Sequence, residues 1–223
     1  MKTRDRIIQS GLQLFNEHSE RLVTTNHIAA NLGISPGNLY YHFRNKEEII
    51  RDIFTEYRDY MSKRLQAPMA AEVTSDFLSN YLDAVFDTLW RYRFLFYDLP
   101  GFVERDPKLA ELHHDFQRDV IVPSLIRIHH QLSGLGWFNW PSEDLIGVVL
   151  NAQVISNNWF SFERALRPNT PITEAACKRA IGQVLIAMRP YVTSQYRLQF
   201  EAIYERFRYD YQDLLAGSDV PKA

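Results

Sequence analysis

Residues 23–50, VTTNHIAANLGISPGNLYYHFRNKEEII, constrain the fold more than any other part of the chain, because three helix starts and one helix stop are written into one short stretch. Thr24 and Thr25 carry hydroxyls able to cap a helix in which Ile28, Ala29 and Leu32 fall on one face. Gly33 follows where a helix ends in the left-handed region. Ser35 caps a second helix, Pro36 takes its first position, where a missing N–H costs nothing, and Leu39 and Phe43 form its buried stripe. Asn45, with Glu48 three residues on, makes an Asn-type capping box that opens a longer helix whose apolar positions are Ile49, Ile50, Ile53, Phe54, Tyr57 and Met61. Ala29, Gly33 and Leu39 suit two helices crossing closely at a short turn, which is a helix-turn-helix.

The residues this packing leaves outside are those that DNA recognition uses. Gly37, in the first turn of the second helix, lets the backbone approach a base edge or phosphate; Asn38 can pair with a base and Ser35 can hold a phosphate. Tyr40, Tyr41 and His42 follow as further donors. The helix starts at Thr25, Ser35 and Lys46 each offer orphan N–H groups and a partial positive charge to a phosphate. The second helix itself has no Lys or Arg before Arg44.

The pattern T-T-x-x-I-A-x-x-L-G-I-S-x-G-x-L-Y-x-H-F-x-x-K-E resembles the TetR family of bacterial transcription regulators, strongly over about the first fifty residues and weakly beyond. The resemblance implies roles for Thr25 at the second helix, Gly37 in the recognition helix, Tyr41 and His42 near phosphates, and Lys46 at the next helix start. Pro36 departs from the family, which often has a basic or hydroxyl residue there. That rules out a cationic base contact from this position and shifts expected base reading to Asn38, Tyr40 and Asn26, with Thr24, Thr25, Ser35, Pro36 and Gly37 lining the same surface.

Composition sets bounds on the remainder. The chain has 223 residues and 46% hydrophobic content, enough for a small and a larger domain with a buried core. A formal net charge of -2 argues against a general nucleic-acid coat, although Lys2, Arg4 and Arg6 cluster at the amino-terminal end and Arg44 and Lys46 follow the recognition helix. The single cysteine, Cys177, excludes an intrachain disulfide. No apolar run suits a signal peptide or a bilayer span, so the chain is expected to be cytoplasmic, with no membrane partner.

Further helices are expected over Arg4 to His18, with Ile8, Gly11, Leu12 and Phe15 on one face; from Lys46 toward Leu65, breaking near Pro68; and over Val73 to Tyr97, closed by a turn at Leu99, Pro100 and Gly101. Pro107 to Leu132 reads as a helix kinked or broken at Pro123. Glu143 to Leu166 is apolar on more than one face through Leu145, Val148, Val149, Ala152, Ile155, Trp159 and Phe162, and must be covered on both sides. Thr173 to Tyr191 carries Ala176, Ala180, Gly182 and Ala187, which allow close approach, and a last amphipathic helix runs through Phe200, Ile203, Phe207 and Leu214.

The expected architecture is all-α: a three-helix helix-turn-helix DNA-binding head over residues 1–46, then a larger helical effector-binding and dimerisation domain over 47–223. The resemblance implies a homodimer paired through the two helices flanking Pro168, a palindromic double-stranded DNA operator, a small-molecule effector and action as a repressor. Trp90, Phe94, Tyr97, Phe116, Trp159 and Phe162, with Asn157 or Asn158 for polar contacts, are candidate effector contacts. A second reading is a helical-bundle metal protein or enzyme using Glu111 and His114, a Glu-x-x-His pair on one helix face. Such a centre needs a second pair and further carboxylates, and His113, His129 and His130 lack ligand spacing. No enzyme activity, metal or cofactor is therefore expected.

Overall fold

The computed structural model describes residues 2–70, 76–167 and 172–209. Over these it is helical, and the one β feature is an isolated antiparallel bridge between Phe138 and Val192. In chain order the helices are α1 (Thr3–His18), α2 (Thr25–Leu32), α3 (Pro36–His42), α4 (Lys46–Ala70), α5 (Phe77–Arg91), α6 (Leu99–Arg105), α7 (Pro107–Phe116), α8 (Val122–Gly134), α9 (Leu145–Leu166), α10 (Glu174–Met188) and α11 (Arg197–Phe207). Two compact units result, Met1–Thr74 with Asp87–Ile121, and Ser75–Phe86 with Val122–Ala223. The division expected after residue 46 falls inside the first unit.

In the first unit, α1 buries Ile7, Ile8, Leu12 and Phe15 along one side. Gly11 is what lets α1 sit against α4, since a Cβ there would lie 3.0 Å from Ile49 Cγ2. Ile28, Ala29, Leu39, Phe43, Ile49, Ile50 and Ile53 complete this core. Asn31 on α2 donates to the buried Ser10 hydroxyl of α1 at 2.9 Å, which fixes α2 on that core. Within the second unit α10 packs on α9, with Ala176, Ala180 and Gly182 buried as the small-residue spacing predicts and Ala187 exposed. Arg179 of α10 grips Glu163 of α9 through Nε at 2.5 Å and Nη2 at 2.6 Å. Trp159 Nε1 donates to the same carboxylate at 2.6 Å, so this nearly buried charge is well satisfied.

The long helix, expected to break near Pro68, is α4 and is described as far as Ala70, two residues past it. Three expectations are corrected. Leu99, Pro100 and Gly101 do not close a helix but open α6, because proline is tolerated in a first turn and Gly101 leaves room for Asp98, whose Oδ1 would lie 2.5 Å from a Cβ there. The segment from Pro107 to Leu132 is α7, a π-helical turn at Gln117–Ile121 and then α8, so the widening comes just before Pro123, where the missing N–H leaves the ladder incomplete. Finally α9 is not covered on both sides within one chain: Ile146, Leu150, Val154, Phe162 and Leu166 are exposed. Val73, Pro168, Pro171 and Leu214 lie outside the described residues.

Candidate nucleic-acid interface

Local chemistry builds the helix-turn-helix. The Thr24 hydroxyl accepts from the His27 N–H at 3.3 Å, and His27 Nδ1 accepts from the Thr24 N–H at 3.2 Å, so histidine does what Glu or Gln does in the usual box. Gly33 ends α2 in the left-handed conformation with φ 67°. Ser35 Oγ accepts from the Asn38 N–H at 3.2 Å and Pro36 begins α3. At the start of α4, Asn45 Oδ1 accepts from the Glu48 N–H at 3.0 Å, while the Glu48 carboxylate reaches back to the Arg44 N–H at 2.8 Å, one residue earlier than a capping box requires.

With Leu39 and Phe43 buried, the outward row of this segment is Ser35, Pro36, Gly37, Asn38, Tyr40 and Tyr41, all exposed, with Asn26 exposed on α2. Tyr41 is 85% exposed and Tyr40 50%, values that no core role accounts for. His42 is half-buried, its ring edge-on to Tyr41 at 5.1 Å. Thr25 Oγ1 and Tyr40 Oη lie 3.0 Å apart, linking α2 to α3 while each oxygen keeps capacity for a further bond.

Two cations from the sequence reading are engaged within the protein. Lys46 Nζ contacts the Glu20 carboxylate at 2.7 Å and donates to the carbonyls of Glu20 at 2.9 Å and Val23 at 3.1 Å, which accounts for all three ammonium protons. A phosphate contact at Lys46 therefore falls to the N–H groups of the helix start rather than to the side chain. Arg4 donates to the His42 carbonyl at 2.9 Å and to Asp52 at 2.6 Å, and its guanidinium covers the Phe43 ring at 4.3 Å. It holds the end of α3 in place. Arg6 and Arg44 remain exposed.

Sequence reasoning missed Glu20. Its carboxylate is close to Arg105 as well as Lys46, at 3.6 Å, and Arg105 and Arg21 both approach Asp98, at 3.7 and 2.7 Å. Glu20, Glu47, Ile50, Phe102, Arg105, Asp106 and Leu109 line a shallow cleft open to solvent. No local pattern marks Glu20, because its partners come from distant parts of the chain.

The candidate effector contacts are divided between the two units. Trp90, Phe94, Tyr97 and Phe116 belong to the first unit, and Asn157, Trp159 and Phe162 to the second. Phe94 is buried against Phe15 at 5.2 Å and Phe102 at 5.9 Å; Phe116 is buried against Phe54 and Tyr57 at 6.2 and 5.7 Å. Trp159 and Phe162 are neighbours at 5.4 Å, Asn157 donates to Gln153 at 3.1 Å, and Phe162 is exposed. Glu111 and His114 are both exposed on α7, and among the described residues no three His, Cys, Asp or Glu side chains are grouped to hold a metal.

The family model described as bacterial regulatory proteins, tetR family, matches residues 7–53, the segment just built, and one described as bacterial transcriptional repressor matches residues 56–200. A crystal structure of a TetR-family transcriptional regulator from Marinobacter aquaeolei VT8 is 39% identical, with a TM-score of 0.82 over 94% of this chain and all of that one. The chain belongs to the TetR family of bacterial transcription regulators. Among curated relatives, the HTH-type transcriptional repressor KstR2 of Mycolicibacterium smegmatis is 30% identical over 63 residues, 28% of this chain and 31% of that protein. The chain spans 31% to 56% of the length of the curated relatives it matches. The SmeT repressor of Stenotrophomonas maltophilia, solved with triclosan, is 15% identical with a TM-score of 0.53 over 86% of this chain and 92% of that one, which establishes the shared TetR fold alone. None of the described helices is long and apolar enough to cross a membrane.

Proposed function

We propose that this chain is a sequence-specific DNA-binding transcription regulator: a cytoplasmic, ligand-responsive repressor, not an enzyme, that grips a palindromic operator as a homodimer. The observation that carries it is the exposed row Gly37, Asn38, Tyr40 and Tyr41 on a helix held from behind by Leu39 and Phe43. Residues 1–46 act as the DNA-binding domain and 47–223 as the effector and dimerisation domain. Asn38, Tyr40 and Asn26 read base edges. Thr24, Thr25, Ser35, Tyr41, His42 and the backbone at Gly37 and Lys46 hold phosphates, and Pro36 sets the start of the reading helix.

Dimerisation is supported by α9. Its exposed residues Ile146, Leu150, Val154, Phe162 and Leu166 fall four residues apart around Asn158, a ridge that slants around the helix, and Ile186 of α10 is exposed as well. Two copies pairing through that ridge place two reading helices on half-sites about one or more helical turns apart. Effector response rests on the SmeT–triclosan complex as a precedent in a remote relative. An effector preferring the state with spread heads weakens DNA binding by the ratio of its two affinities.

The test is selection of bound fragments from random double-stranded DNA by the purified chain at moderate salt. An enriched inverted repeat supports the reading; folded protein that enriches nothing, with or without candidate effectors, overturns it.

A further inference from the structure

The capping box at the start of α2 is closed by His27 where Glu or Gln is usual, and that exchange leaves a hydrogen-bond donor facing outward. His27 Nδ1 accepts from the Thr24 N–H at 3.2 Å, so Nδ1 presents its lone pair and the ring proton is carried by Nε2. The Thr24 hydroxyl is occupied in turn by the His27 N–H at 3.3 Å, and the Thr24 carbonyl by the Ile28 N–H at 3.2 Å. Among the described residues Nε2–H meets no acceptor, and His27 is exposed. The two nitrogens point to opposite sides of an imidazole, so the ring that turns Nδ1 in toward the backbone turns Nε2–H out toward solvent. Nε2 lies one ring width beyond Nδ1, within about 6 Å of the Thr24 nitrogen, and so beside the Thr25 and Asn26 N–H groups, which no intrahelical carbonyl satisfies. On the other flank Thr25 Oγ1 meets Tyr40 Oη at 3.0 Å, which ties this helix start to the reading helix.

We propose that His27 Nε2–H donates to a DNA phosphate oxygen at the start of α2, which makes His27 a phosphate-binding residue of the operator interface. The proposal rests on the DNA-binding reading above and adds to it a contact that the sequence pattern did not single out. A phosphodiester offers acceptors and no donors, which suits a surface whose unspent groups at this point are all N–H donors. With each outer oxygen about 2.9 Å from its donor, one phosphate bridges donors up to roughly 8 Å apart, enough to take Nε2–H together with the neighbouring backbone N–H groups. The acid that more often closes a capping box would set a like charge against the same phosphate. His27 closes the box with one ring nitrogen and grips the DNA with the other.

The probe is the operator selected from random fragments, with each phosphate of a half-site replaced in turn by an uncharged methylphosphonate. Fluorescence anisotropy compares the full-length chain with His27→Glu, which keeps the box but has no donor, and with His27→Gln, whose amide supplies both an acceptor for the Thr24 N–H and an outward donor. His27→Glu should bind about tenfold more weakly or worse with Tm unchanged, and His27→Gln should rescue binding to within about threefold. One phosphate per half-site should couple to residue 27: its replacement weakens the unaltered chain and strengthens His27→Glu. Should His27→Glu melt early, His27→Ala takes its place, and replacement of that phosphate should then cost the variant nothing. A purely structural role at the cap moves Tm together with affinity and singles out no phosphate. The contact is overturned if folded His27→Glu binds as tightly as the unaltered chain, if His27→Gln is as weak as His27→Glu, or if the coupling is spread evenly over all phosphates. In each of these cases the unaltered chain still binds its operator and the regulatory reading stands, whereas a chain that selects no operator overturns that reading and this contact with it.

Discussion

A Cβ placed on Gly37 meets only the Ser35 hydroxyl, at 3.9 Å, so nothing inside the protein demands a glycine there. Gly33 is the opposite case: open space surrounds it, but its φ of 67° strains any residue with a side chain. Gly33→Ala should cost about 1 kcal/mol and lower Tm, while Gly37→Ala should leave Tm unchanged and weaken DNA binding, as thermal melts and fluorescence anisotropy on the selected operator will show. Lys46 and Arg44 separate in a similar way. Lys46→Met leaves Glu20 with only the more distant Arg105, so it should cost roughly 1.5–3 kcal/mol of stability with little change in the salt dependence of binding. Arg44→Ala, exposed beside the reading helix, should reduce the slope of log affinity against log salt by about one with Tm unchanged. The sequence pattern singled out Lys46 but not the direction of its ammonium, because the carboxylate that captures it lies on another turn of the fold.

Elements whose boundaries are set by local bonds were legible from the residues alone. Thr24 with His27, Gly33, Ser35 with Asn38, and Asn45 with Glu48 each fix a helix end through atoms only a few residues apart. Elements decided by packing were not. Leu99–Pro100–Gly101 reads as a turn until Asp98 folds over Gly101, and which apolar residues of α9 one chain leaves uncovered is seen only in their exposure. The ring neighbours of Phe94 and Phe116 were equally hidden, since periodicity does not identify contacts made by distant parts of the chain. At this scale the test is Val154→Glu, a charge in the middle of the exposed ridge. Sedimentation should show a monomer with unchanged helical content and at least tenfold weaker operator binding; an unaltered dimer would move the interface elsewhere.

For the whole molecule, acid should be more damaging than a formal charge of -2 suggests. His113 and His129 both have lowered pKa values, His113 through burial and then its neighbour His114, His129 through burial. Below the ordinary value of 6.5 the unfolded chain takes up protons that the folded chain resists. Stability is thus complete above that pH and falls as the pH drops toward the folded values, by up to about 1.4 kcal/mol per pH unit for the buried His129 and by less for the more exposed His113. Melts across this range should show that slope, and His129→Phe with His113→Phe should flatten it. The central claim is that the row beginning at Gly37 reads DNA, and the most direct measurement repeats the random-fragment selection with Asn38→Ala beside the unaltered chain. The account predicts an inverted repeat in both, with preference relaxed at one symmetry-related pair of base positions in the variant. An identical consensus from the two proteins would contradict it.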